Sequence, residues 1–278
     1  MKRLVSVFAM AALVAACADG TENSSATASS GEKRNNSASA TSKAEANNLK
    51  LTDAKPRSID VETDLMEFSY SYPALVASIP KLASLMDSRL DDTGSALEKD
   101  AQAAKAEAEK NNYPYRTYST QVEWKVVRDL PDWLSLSANI YTYTGGAHGM
   151  HVFDSLVWDK KANIARNPLD LFISGPSLSK VTEKAFCDAL DKEREKKRGE
   201  PVRRDPDALF SECIDPVENS TIILGSSDGQ SFDRIGFLVP PYNAGPYVEG
   251  EYEVTLPVTA EIKTMVKPEF RSSFVLGK

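Results

Sequence analysis

Trp133 to Trp158 reads WLSLSANIYTYTGGAHGMHVFDSLVW, and the way its glycines break the pattern decides how the surrounding chain folds. Side chains alternate between the two faces of a strand. Before the glycines, Leu134, Leu136, Ala138 and Ile140 share one face, and Trp133, Ser135, Ser137, Asn139, Tyr141 and Tyr143 share the other. After them, MHVFDSLVW resumes as an apolar strand that stops at DKKAN. Gly145 and Gly146 are placed to supply the positive φ angles of a twisted hairpin. Gly149 allows a bulge or a close backbone approach. One more strand precedes the pair: in QVEWKVV, Val122, Trp124 and Val126 alternate with polar residues, and the chain turns from Asp129 to Asp132 around Pro131. The three strands read as an antiparallel meander.

The same corner holds both histidines of the chain, His148 and His151. A zinc site takes three or four ligands from His, Cys and carboxylates. Two histidines three apart fall short, and on a strand their rings would point to opposite faces. Nucleophilic catalysis needs a Ser or Cys held beside a base. Ser155 and Asp154 are near, but no GxSxG elbow occurs. No lysine follows the glycines as a phosphate loop requires. The preferred reading of Tyr143, Gly145, Gly146, His148 and Gly149 is therefore structural, with the imidazole of His148 tying the loop to backbone carbonyls. It is preferred to both metal binding and catalysis by His148, and no catalytic residue, metal or cofactor is expected.

Outward from the meander, Phe68, Tyr70 and Tyr72 alternate in EFSYSYP, a strand closed by Pro73. A long helix follows, with Ser78 as its cap and Pro80 in its first turn. Ile79, Leu82, Met86, Leu90, Leu97 and Ala101 hold helical spacing, and Gly94 is a place where the helix could break in two. Past Pro168, the segment SLSKVTEKAFCDALDKEREKKRG reads as a helix capped by Ser177 or Ser179. Val181, Ala185, Ala189 and Leu190 lie on its inner face and Gly199 ends it. STIILG, RIGFLVPPY and EYEVTLPV then read as strands before a terminal helix near Ala260 to Val266. The fold class is α+β: antiparallel sheets with packed helices, in two intimate subdomains, 57–167 and 168–278, behind a disordered tether.

The first 56 residues carry the address. Met1-Lys2-Arg3 is basic and Leu4 to Ala16 is apolar, too short for the ~20 residues of a membrane span and suited to a signal peptide over residues 1–16. Val14-Ala15-Ala16-Cys17 resembles a bacterial lipobox, with lipid on Cys17; the alternative is an ordinary signal peptide with a chance cysteine. Ala18 after the cysteine, with Asp19 one place later, slightly favours the outer over the inner membrane. Residues 17–56 have almost no large apolar side chains and cannot offset their ordering entropy. As a flexible coil, such a linker spans roughly 35 Å. The chain carries 33 basic and 40 acidic residues, a net −7, which argues against nucleic-acid binding. With Cys17 lipidated, Cys187 and Cys213 remain as an even pair for a disulfide, the alternative being two separate buried thiols.

YTGGAHG at Tyr143–Gly149, NPLDLF at Asn167–Phe172 and FLVPPYNAGPYVEGEYEVTLPV at Phe237–Val258 together resemble one bacterial envelope family. Its extracytoplasmic region pairs a DUF4163-like N-terminal unit with a DUF3298-like C-terminal unit. The pair is found in a lysozyme-sensing anti-sigma factor and ahead of the catalytic domain of a peptidoglycan deacetylase. The resemblance runs from about Ile59 to the end. Asn243 departs from the acidic residue that often follows the first tyrosine of the last motif. What the resemblance implies is an α+β module that binds lysozyme or another muramidase without catalysis, here tethered to the membrane by lipid. A basic protein of that kind would be steered by an acidic chain. Tyr242, Asn243, Pro246 and Tyr247 are the candidate contact residues, with core or turn packing the competing reading for the two tyrosines. The alternative function is an envelope hydrolase or peptidoglycan-binding protein using the His148 corner.

Overall fold

The computed structural model describes residues 54–278. The expected signal peptide, Cys17 and the linker as far as residue 53 lie outside the described residues. Among those described, no helix is long and apolar enough to cross a membrane.

Six strands form the larger sheet in sequence order: β1 Arg57–Glu62, β2 Met66–Tyr72, β3 Tyr118–Asp129, β4 Trp133–Tyr143, β5 Met150–Asp159 and β6 Ile164–Arg166. The meander of β3, β4 and β5 is antiparallel, with Tyr141 opposite His151 and Gln121 opposite Tyr141. One pair departs from the antiparallel expectation: β2 and β3 are parallel. A parallel pair needs a long crossover, and here it is a helix. After the single turn α1, Ala74–Ala77, helix α2 runs from Pro80 to Lys110. The strand β1, absent from the sequence reading, adds antiparallel to β2 as an edge.

Helix α2 is unbroken at Gly94. A Cβ there would meet the Phe68 ring at 3.3 Å, so the glycine lets the helix lie close on β2. Ser78 does not cap it either. Ile79 occupies the N-cap without a side-chain bond, and the Ser78 hydroxyl instead donates to Leu75 O at 2.7 Å, in the turn before. Leu82, Met86, Leu90 and Leu97 bury against Phe68, Tyr70, Tyr72, Val122, Trp124, Leu134, Leu136 and Ala138. Within this core the Trp124 indole donates to the Tyr70 hydroxyl at 2.9 Å. Burial pushes the Tyr70 phenol up to about 12, so it stays neutral.

The second sheet is the antiparallel β7 Thr221–Gly225, β8 Arg234–Val239 and β9 Tyr252–Pro257. It packs on helix α3, Gly175–Arg198, with α4, Ala260–Met265, closing one end. Ser174, not Ser177 or Ser179, caps α3, because Pro176 fits its first turn and the helix starts earlier than expected. Its inner face is also rotated. Leu178, Thr182, Phe186, Cys187, Leu190 and Arg194 are buried, whereas Ala185 is exposed and Val181 and Ala189 are half-buried. The large Phe186 ring, packed 5.1 Å from Phe237, sets the rotation over the small alanines. Gly199 ends the helix at φ +74°.

The larger sheet is a layer shared between two cores. On the face away from α2, Trp133 and Val157 join the core of the second unit. Trp133 Nε1 donates to Ser273 Oγ at 2.9 Å. Ser155 Oγ donates to Ile222 O at 2.7 Å, and Thr221 Oγ1 to Phe153 O at 3.1 Å.

Cys187 on α3 and Cys213 form a disulfide with Cα atoms 5.5 Å apart and a sequence separation of 26. Closing a loop of that length restricts the unfolded chain by about 3 kcal/mol. The double variant Cys187→Ala/Cys213→Ala should therefore unfold in urea with a stability lower by about 2–4 kcal/mol. A loss under about 1 kcal/mol would show that the cross-link contributes little.

Candidate functional site

At the corner between β4 and β5 the two units meet again, through the side chains of His148, Tyr242 and Tyr247. Gly145 adopts φ +86°, but Gly146 is not left-handed. What Gly146 contributes is its carbonyl, which accepts from Tyr143 Oη at 3.0 Å and from Arg116 Nη1 at 3.1 Å. A Cβ at Gly149 would collide with the Tyr141 ring, so the close approach foreseen there is one between backbone and aromatic ring.

His148 precedes β5, so strand alternation does not govern it. Its Nδ1 lies 2.9 Å from Gly149 O. A carbonyl only accepts, so Nδ1 carries the proton, and in the neutral ring Nε2 is left to accept. The hydroxyl of Tyr242 lies 3.1 Å away and donates to it. The imidazole also stacks on Tyr247, with centroids 3.7 Å apart and planes 19° apart. His151 is engaged elsewhere, with Nδ1 3.0 Å from Asn139 Oδ1 and its ring 4.9 Å from Tyr141. The two neighbours that a catalytic reading would enlist are committed too. Ser155 bonds Ile222 O, and Asp154 pairs with Arg89 at 2.9 Å. Among the described residues no three His, Cys, Asp or Glu side chains gather as a metal set.

The loop that meets His148 runs from Pro240 to Gly250 and is held stiffly. Tyr242 has φ +73°, a conformation uncommon for a non-glycine residue, and its N–H donates to Gly245 O at 3.1 Å. Asn243 Nδ2 donates to Asn219 O at 3.0 Å. Pro246 opens the 3-10 turn Tyr247–Glu249. Tyr242 is 46% exposed and Val248, at the tip, 91%.

Beneath the loop lies a charged brace. Arg194 is 0% exposed; its Nε donates to Ala244 O at 2.9 Å and its Nη1 pairs with Asp191 at 3.1 Å. Arg198 forks onto Glu249 at 2.9 and 3.0 Å, and the Tyr252 hydroxyl donates to the same carboxylate. Gly245 carries no side chain because a Cβ would strike that carboxylate. The brace was not foreseen, although its signal was present: Arg194 and Arg198 continue the i+4 series of Phe186 and Leu190 onto the buried face.

Among the described residues, the face of the larger sheet that faces away from α2 is covered at one end only, where Trp133 and Val157 meet the second unit. The uncovered part presents cross-strand rows of polar side chains. Asp60, Ser69, Gln121, Tyr141 and His151 form one; Ser58, Ser71, Glu123 and Asn139 form the next, which ends at Phe153 on β5.

Residues 59–151, from β1 to the start of β5, match the family model described as deacetylase PdaC. This segment is PdaC-like. It takes in the open sheet face and the glycine corner and stops short of the 240–250 loop. Two solved structures of DUF3298 family proteins are also similar to the chain. The one from Bacteroides fragilis NCTC 9343 is 19% identical, covering 79% of this chain and 96% of that one at a TM-score of 0.46. The one from Pseudomonas aeruginosa PAO1 is 16% identical, covering 78% and 97% at a TM-score of 0.44. No curated protein matches. YTGGAHG lies within the matched residues 59–151, whereas NPLDLF and the 237–258 motif lie outside them.

Burial alone would raise the Glu249 carboxyl, but the Arg198 fork and the Tyr252 hydroxyl hold it below its ordinary 4.5. A carboxyl depressed in the folded state stabilises fully above its unfolded pKa, and that contribution is lost as pH falls through the folded value. Melting temperature should therefore drop as pH is lowered from about 4.5. Glu249→Gln should melt lower at neutral pH and show a shallower acid slope. Parallel acid slopes for the two proteins would remove Glu249 from the brace.

Proposed function

We propose that the protein is a non-catalytic binding module of the bacterial envelope. It is held by lipid on Cys17 and docks a basic cell-wall protein, lysozyme or another muramidase, on the Tyr242–Val248 loop. The observation that carries this reading is the presentation of that loop. Tyr242 and Tyr247 are locked against His148, and Val248 projects beyond them. Tyrosines held in one conformation lose little entropy on binding, and such anchors dominate interface energetics. The net charge of −7 favours a basic partner through faster encounter. The apolar run before Cys17 supports an envelope location facing the periplasm, with the outer membrane slightly favoured by Ala18.

A hydrolase centred on His148 is the alternative, and the word deacetylase in the matching family's description is its motive. The corner gives it little support. A backbone carbonyl, not a carboxylate, orients the ring, and Nε2 already accepts from Tyr242.

Calorimetry of the protein against several lysozymes tests the binding reading. Saturable binding is expected, weakened on the order of tenfold or more by Tyr247→Ala and with a slower on-rate at high salt. No heat at high micromolar concentration with any of them would sink it. Loss of an activity on peptidoglycan in a stably folded His148→Ala variant would favour the hydrolase instead.

A further inference from the structure

We infer that the uncovered face of the six-stranded sheet is a saccharide-binding cleft, with a neutral or amino sugar as its ligand. The cleft uses none of the loop residues assigned to protein docking, so the two readings stand separately. Its floor is built by strand register. Asp60, Gln121, Tyr141 and His151 share one cross-strand row, and Glu123 faces Asn139 in the next. All six line one open cleft.

The chemistry of the floor selects the ligand. Two carboxylates and two carboxamides offer planar groups that accept from, or donate to, pairs of neighbouring hydroxyls. Adjacent strands lie about 4.8 Å apart, so the groups recur at about the length of one pyranose ring. Tyr141 supplies a flat aromatic face for the C–H side of a sugar, and it is held in place. Gly149 leaves room for its ring, and His151 flanks it at 4.9 Å. His151 Nδ1 faces Asn139 Oδ1 at 3.0 Å, which leaves the Asn139 amide N–H groups to donate elsewhere.

Charge and apolarity exclude the competing ligands. Glu123 is met by Lys125 at 2.9 Å. Asp60 has only a hydroxyl beside it, from Ser58 at 3.3 Å. Phosphates and acidic sugars would be repelled. A protein interface would need apolar anchors at its centre, and here carboxylates, carboxamides and serines surround the ring of Tyr141.

The full chain, in a non-glycosidic detergent, is titrated by calorimetry with β-1,4-linked tetramers of glucose, N-acetylglucosamine and glucosamine. At least one should bind saturably with a Kd of about 1 mM or tighter. Tyr141→Leu and Asn139→Ala should each weaken it tenfold or more, while Tyr247→Ala leaves it unchanged. Gln121 is exposed, so Gln121→Ala keeps the fold and provides the same readout if Tyr141→Leu does not fold. Silence from all three tetramers overturns the inference, and so does binding that survives the floor variants.

Discussion

A six-stranded sheet has two faces to cover, and of the two long helices among the described residues only α2 packs on it. Helix α2 buries one face along Phe68, Tyr70, Val122, Trp124 and Leu134. The opposite face is left to the second unit, which is too small to reach across. It seats on the end where Trp133 and Val157 project, fixed by Ser155, Thr221 and the Trp133 indole. Beyond that seat, the strands present serine, carboxylate and carboxamide side chains with the rings of Tyr141 and His151. The partial cover leaves both the open cleft and the corner at its end.

At that corner the second unit reaches back. His148 gives one nitrogen to its own loop and the other to Tyr242, and its ring face goes to Tyr247. The imidazole is a joint between segments about a hundred residues apart. The loop it meets could not hold its shape unaided, since Tyr242 sits in the left-handed region. Arg194, buried without exposure, anchors the Ala244 carbonyl, and Arg198 with Glu249 fixes the loop's far end. A buried guanidinium is costly unless paired, and here the pairing restricts the loop to one geometry. The disulfide ties the segment containing Ser211, whose carbonyl accepts from Arg194 at 3.4 Å, to the same helix.

Much of this was legible in local sequence. Alternation placed Leu134, Leu136 and Ala138 on the core face and Asn139, Tyr141 and Tyr143 on the other. Glycine chemistry ended α3 at Gly199, and cysteine parity paired Cys187 with Cys213. What escaped was decided by contacts distant in sequence. RSIDVE alternates only two apolar residues, Ile59 and Val61, neither of them fully buried, and it forms a strand along the edge that β2 offers. The parallel pairing of β2 with β3 follows from the crossover of α2, which no local pattern encodes. Gly94 looked like a helix breaker because the Phe68 ring above it is invisible to spacing rules. The run KEREKKR has no apolar residue to mark a buried face, yet its two arginines are spoken for by a loop some fifty residues on.

The edge strand β1 has one more consequence, for solubility. An edge strand carries unpaired backbone groups and invites another sheet to join it. On β1 the outward residues are charged or polar, Asp60 and Glu62 among them, and the opposite edge, β6, is only three residues long. Charge and brevity are the two means by which sheet proteins discourage self-assembly. The broad uncovered sheet can thus stay open to a ligand without templating its own aggregation. Asp60 serves both ends, so a chain stripped of that carboxylate would have to be judged by its tendency to precipitate as well as by what it binds.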